Sequence, residues 1–266
     1  MTLLAASFPH GTTASELLLS RDATIRIMPL GDSITAGVAA GGARVTDGGY
    51  RGALAQLLAR YGYHAVFVGT RNDYSAAIPA RAHEGWPGYV LRSYPSNPGP
   101  GQLYGALVRK AMRSNGPDVV LLMAGTNDLI RLQHGNAGYT LTNIVSSMNL
   151  VLDEIFYERP NVRVIVAPVV SSPVIDFCTL AHFDGDDLCG PTLGPNLKTL
   201  VDEYAQRGFR ISLASGMERA VPRDARHFPD GIHPSGDSGY TDIAGVWLGA
   251  IERVTAPPSA SKVATK

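Results

Sequence analysis

The chain has no surplus of either charge: 23 lysines and arginines offset 23 aspartates and glutamates over 266 residues. Binding to nucleic acid or an anionic membrane by bulk electrostatics calls for a basic excess, so this balance argues against both partners. Long apolar runs are missing too; none approaches the roughly 18 residues of a spanning helix. The N-terminal MTLLAASFPHG opens on a short apolar stretch with no Lys or Arg before it, which makes it a poor signal peptide. Cysteine is scarce, with only Cys178 and Cys189. Two thiols do not make a tetrahedral zinc site without histidines, and only His182 lies near them. They are either two separate thiols or a disulfide closing their own loop; the bridge is the expectation, and it implies an oxidising compartment. No internal repeat is found, and no metal or cofactor is expected.

What the chain does have is an ordinary globular composition, 45% hydrophobic and 17% charged, at a length that suits one α/β domain. Residues 1–22 read as an irregular leader, with a short helical possibility at Ser15–Leu19. Strands are predicted from Ile25, at His64–Gly69, Asp118–Ala124, Val162–Val170 and Arg210–Ala214. Helices are predicted at Tyr50–Tyr61, Gln102–Ser114, Thr140–Glu158, Leu193–Arg207 and Gly236–Val254. The Tyr50 helix carries Leu54, Leu57, Leu58 and Tyr61 at i, i+3, i+4, i+7 spacing. The Thr140 helix shows Leu141, Ile144, Val145, Met148, Leu152 and Ile155 on one face. DVVLLMA (118–124) is a continuous apolar run, as in a strand buried on both faces. Five alternations of strand and helix predict an α/β fold with a five-stranded parallel sheet and helices on both faces. Residues 23–254 form one domain in this reading, and residues 255–266 a flexible polar tail.

Sites in such sheets form beyond the strands' C-terminal ends. Three polar blocks stand there. GDSITAG (31–37) puts Ser33 at a strand-to-helix turn, where its hydroxyl can meet a base and the amides of the turn. GTND (125–128) follows the third predicted strand. DGIHP (230–234) follows the fifth, with Asp230 and His233 three residues apart. A carboxylate beside the imidazole Nδ1 leaves Nε2 to take a serine proton, so the chemistry fits Ser33, Asp230 and His233 acting together. His227, six residues before His233, is a rival base that lacks an acid three residues upstream in this reading. GDS also lacks the GxSxG of α/β-hydrolases, which disfavours that fold.

With HEGWPG (83–88) added, the four blocks resemble the GDSL/SGNH hydrolase superfamily over about Ile25 to Val254. The resemblance implies a three-layer α/β/α sandwich, Ser33 as nucleophile, His233 as base and Asp230 as its orienting acid. It also implies an oxyanion hole from the backbone N–H of Ser33, the backbone N–H of Gly85 and the side-chain amide of Asn127. MPLGDSIT (28–35), GGYR (48–51) and the HEGxxG form look like the acetylxylan esterases of carbohydrate esterase family 3. The Thr70–Gly101 loop and the Phe177–Gly190 insertion are longer than in a compact member.

The implied activity is a secreted, monomeric serine esterase acting on acetylated polysaccharide or another small acyl ester. A lipase, lysophospholipase or thioesterase with the same triad, and a non-catalytic glycan-binding module, are the alternatives. Trp86 and Tyr89 either stack on sugar or pack their loop. Asp32 and Asp128 read as supports that accept backbone hydrogen bonds, and His83 as a residue ordering its loop. Asp184, Asp186 and Asp187 read as a solvated acidic turn rather than a calcium loop.

Overall fold

In the computed structural model, which describes residues 18–39, 47–96, 98–175, 197–236 and 238–256, the sheet is built around β1 (Ile25–Gly31). Its first residues alternate, Ile25 inward and Arg26 outward; from Ile27 onward every residue is buried. That change marks where the strand passes from a half-covered edge into the middle of the sheet. Along one flank runs β4 (Val119–Met123), paired in parallel from Ile27↔Val119 to Gly31↔Met123. β5 (Arg163–Val166) and β6 (Ile211–Leu213) extend the sheet on that side. Along the other flank, β2 (Ala65–Phe67) covers Ile25–Ile27. β3 (Glu84–Gly85) then covers Leu30 and Gly31.

The order β2-β1-β4-β5-β6 is parallel throughout and holds the five expected strands. β3 is a sixth that the hydrophobic pattern did not indicate. It is two residues long and pinned by the Trp86 N–H donating to Gly31 O at 2.9 Å.

Helix α1 (Ser33–Ala36) leaves β1 directly, and α2 (Tyr50–Arg60) packs beside the last helix, α7 (Gly239–Arg253). Between them in sequence come α3 (Ala106–Asn115), α4 (Thr126–Gln133), α5 (Leu141–Glu158) and α6 (Leu197–Gln206). α3 and α6 both pack on α5, so α2 with α7 and α5 with its neighbours form the two outer layers. α5 buries Ile144, Val145, Met148, Leu152 and Ile155 as its spacing predicts, and Thr140 Oγ1 caps it by accepting from the Asn143 N–H at 3.2 Å. α2 departs from its predicted stripe. Leu54 and Leu58 are buried with Tyr50 and Arg51, but Tyr61 is 49% exposed. The chain turns at Gly62 (φ +77) and buries Tyr63 instead.

The two ends of the described fold meet, Leu19 and Thr255 forming a parallel bridge. Cys178 and Cys189, the three aspartates at 184, 186 and 187, and most of the predicted leader and tail lie outside the described residues. Among the described residues no helix is long and apolar enough to cross a membrane, and no cluster of three or more His, Cys, Asp or Glu could hold a metal ion.

Candidate active site

The turn after β1 is shaped by what cannot be there. A side chain on Gly31 would meet Met123 O at 2.0 Å and Thr35 Oγ1 at 2.5 Å, so only glycine lets β1 end flush against β4. Asp32 follows as the N-cap of α1. Its Oδ1 accepts from the Ile34 N–H at 3.1 Å, and its Oδ2 accepts from the Thr126 N–H at 3.3 Å. One buried carboxylate thus fastens the start of α1 to the start of α4. Ser33 is the first residue of α1, so its own N–H has no acceptor within that helix.

Across from Ser33, the segment between β6 and α7 brings in His233. Asp230 Oδ1 accepts from the Ile232 and His233 N–H groups at 3.0 and 2.8 Å, and its Oδ2 lies 2.8 Å from His233 Nδ1. A carboxylate only accepts, so Nδ1 carries the proton; when the ring is neutral, Nε2 accepts from Ser33 Oγ–H, 2.9 Å away. Ser33 is nearly buried, while His233 and Asp230 are partly open to solvent. A hydroxyl, a neutral imidazole and a carboxylate in this series can generate a nucleophile at neutral pH.

The reading of His227 as lacking an upstream acid is corrected by the sequence itself, DARH at 224–227, and the structure shows the pair bonded. Asp224 stands three residues before His227, and Asp224 Oδ1 lies 2.8 Å from His227 Nδ1 while accepting from the Arg226 and His227 N–H groups. The chain therefore contains two Asp-x-x-His turns of the same design. His233, the imidazole of the second, is the one paired with Ser33 Oγ.

Gly85 also departs from its expected role. Its N–H donates to His83 Nδ1 at 3.0 Å and so is already committed. His83 Nε2 then carries the proton and donates to Asp73 O at 3.1 Å. Burial first, and then the charge of Arg51, push His83 down to about 3, which keeps the ring in the neutral form this pattern requires. The glycine is needed for another reason. A Cβ there would sit 2.3 Å from Ala36 N and 2.6 Å from Ala36 Cα, so β3 packs directly on the backbone of α1.

Asn127 lies in the first turn of α4, a helix the sequence pattern did not indicate. One hydrogen of its Nδ2 goes to Tyr89 O at 2.9 Å, and the amide has a second. Asp128 beside it accepts from the Leu91 N–H with both oxygens, at 3.0 and 3.2 Å. Two consecutive residues of α4 thus hold the segment that carries Tyr89. Trp86 and Tyr89 touch each other, with ring centroids 5.2 Å apart. The Arg71 guanidinium covers the Trp86 ring, Trp86 Nε1–H donates to Glu84 Oε2 at 3.1 Å, and Gly101 lies against the Tyr89 ring.

Burial pushes the Asp128 carboxyl up to about 7, and the neighbouring Asp32 charge adds to the rise. In the unfolded chain the same group releases its proton near 3.8. A raised carboxylate stabilises the fold below the unfolded value and loses that contribution as pH climbs through the folded one. Against an Asp128→Asn variant, the wild type is expected to lose roughly 3 kcal/mol between pH 5 and pH 8. Urea unfolding of both proteins at the two pH values checks this; parallel curves would contradict it.

A parallel sheet between two helical layers, with these groups at its C-terminal edge, is the framework of a carboxylic ester hydrolase. Residues 30–240 match the model of the GDSL-like lipase/acylhydrolase family, and the chain belongs to that family. It is 28% identical over 250 residues to a multidomain esterase of Ruminococcus flavefaciens, covering 88% of this chain but only 29% of that protein's length. Among solved structures it is similar to a family 3 carbohydrate esterase of Clostridium thermocellum, with TM-score 0.61 and 25% identity over 88% of this chain and all of that one. A carbohydrate esterase of family 3 from Talaromyces cellulolyticus shares the fold, with TM-score 0.60 and 21% identity over 87% of this chain and all of that one.

Proposed function

We propose that the protein is a serine esterase that removes acetyl groups from a carbohydrate, and that Ser33, His233 and Asp230 are its catalytic residues. The observation that carries this is the hydrogen-bonded series from Ser33 Oγ through His233 to Asp230, at 2.9 and 2.8 Å. Ser33 Oγ attacks the ester carbonyl as its proton passes to His233 Nε2. Asp230 holds the Nδ1 proton in place and stabilises the imidazolium that forms. His233 returns the proton to the departing sugar oxygen, leaving acetyl on Ser33. Water, deprotonated by the same nitrogen, then releases acetate and restores the serine.

The oxyanion of each tetrahedral intermediate is held by the Ser33 N–H and the second Nδ2 hydrogen of Asn127. Gly85 contributes by its fit against α1, its own N–H being taken by His83. Donors fixed before reaction stabilise the charge without reorganising, and one is worth about 3–4 kcal/mol.

The carbohydrate part of the reading is supported by the likeness to the Clostridium thermocellum family 3 enzyme and by the aromatic pair next to the site. Trp86 and Tyr89 are half-buried, each with part of its ring covered by the protein, so a sugar would stack on what remains open. A polysaccharide substrate places the protein outside the cell. Acetate release from acetylated xylan, beside a Ser33→Ala control, tests the substrate. Release by the wild type and none by the variant is expected. A series of p-nitrophenyl esters is expected to fall in rate from acetate to octanoate; faster octanoate turnover would overturn the deacetylase reading in favour of a lipase.

A further inference from the structure

The GGYR block at 48–51 is the one motif that the chemistry at Ser33 does not use. Its arginine is unusual in where it lies. Arg51 belongs to the first turn of α2, where a long cation would ordinarily face water, yet its side chain is fully buried. The hydrogen bonds of its guanidinium run to main-chain carbonyls. Nε donates to Thr35 O at 3.1 Å and Nη2 to Ala36 O at 2.9 Å, both in the last turn of α1. Nη1 donates to Arg81 O at 2.8 Å, on the segment that runs into His83, Glu84 and Gly85. Burying a cation on carbonyls alone costs free energy that a carboxylate partner would have offset. Asp73 and Asp47 act on it only through longer-range attraction, and burial brings its pKa down to about 10.

The rest of the block works on the same turn. Gly49, at φ +57, lies so close to Gly37 that a Cβ would meet Gly37 Cα at 2.7 Å. Tyr50 Oη lies 3.5 Å from Thr35 Oγ1. From α7, the Tyr240 hydroxyl donates to Val38 O. The carbonyls left without partners at the end of a short helix are thereby taken up by side chains from two other helices.

We infer that Arg51 is a positioning residue: its planar fork fixes the helix that begins with Ser33 against the segment that carries His83 and Gly85. This rests on the reading of Ser33 as the nucleophile. With α1 held at its far end and β3 pressed on Ala36, the Ser33 N–H and hydroxyl keep one place relative to His233 and Asn127. The Arg51 charge has a second effect, since it helps to keep His83 neutral and able to accept the Gly85 N–H. A lysine would bring a point charge with no planar fork, and could not bond both α1 carbonyls and Arg81 O in the same geometry.

The test uses Arg51→Lys and Arg51→Gln, the latter burying no charge and so keeping a folded variant available. Turnover of p-nitrophenyl acetate and inhibition by phenylboronic acid, which forms a tetrahedral adduct on a serine, are measured together. Both variants are expected to lose on the order of 100-fold in kcat, as a displacement of about 1 Å would cause. KM should stay within about twofold, and boronate affinity should fall in step with kcat, because both report on the tetrahedral state. A variant that melts earlier yet keeps wild-type kcat and boronate affinity would overturn the inference, since a residue serving only stability gives that pattern. Ser33→Ala is run alongside. If that variant is as active as the wild type, the reading of the site fails; if it is inactive while both Arg51 variants turn over normally, only the role of Arg51 fails.

Discussion

Ser33→Ala is expected to lower kcat for p-nitrophenyl acetate by about 10,000-fold or more, with little change in thermal midpoint. In the proposed mechanism the Ser33 oxygen bonds to the acyl carbon, and among the described residues no other side chain is paired with His233 Nε2. His233→Ala should cost nearly as much, because an unassisted serine hydroxyl is a weak nucleophile. The double variant should be no worse than either single one, since the two groups act as a unit. His227→Ala provides the contrast. Its Asp-x-x-His turn has the same hydrogen bonds as that of His233, so sequence spacing alone does not separate the two. A wild-type kcat in His227→Ala beside an inactive His233→Ala is the expected pair of results. The reverse would exchange the two histidines and displace Ser33 from the reaction.

Gly85→Ala is expected to abolish most of the activity, by about 100-fold or more, and to destabilise the fold by about 1–3 kcal/mol. The substitution keeps the backbone N–H, so a lost donor cannot explain the result. What it adds is a methyl group 2.3 Å from Ala36 N, against backbone that has no rotamer to yield. Either α1 or β3 must move, and α1 begins at Ser33. Steady-state kinetics with thermal unfolding checks both parts. Wild-type activity in Gly85→Ala would mean that the β3 segment can shift without disturbing Ser33.

Much of this arrangement was legible in the sequence because it follows from burial. Val119–Met123 reads as a strand covered on both faces, and all five residues are buried. The stripe of the Thr140 helix lies against the core as its spacing requires. Asp32 and Asp128 accept backbone N–H groups as expected of them.

What was not legible depends on register rather than pattern. Glu84–Gly85 has no hydrophobic alternation and is a strand only because β1 offers it two residues beyond the reach of β2. α4 opens on Thr-Asn-Asp, residues that read as a turn, and of its first four only Leu129 adds apolar core. Arg51 was unreadable because an arginine in the first turn of an amphipathic helix is ordinarily exposed; the carbonyls it meets come from 15, 16 and 30 residues away. At Gly85, the motif suggested an amide donor, whereas the histidine two residues before it claims that donor.

The most direct measurement is peptide mapping by mass spectrometry after rapid quenching of p-nitrophenyl acetate turnover. One acetyl group on the peptide containing Ser33 is expected, formed at the rate of the p-nitrophenol burst and absent from Ser33→Ala. Full-rate hydrolysis with that peptide unmodified, or with the acetyl group carried at burst rate by another residue, would contradict the assignment of Ser33 as the nucleophile.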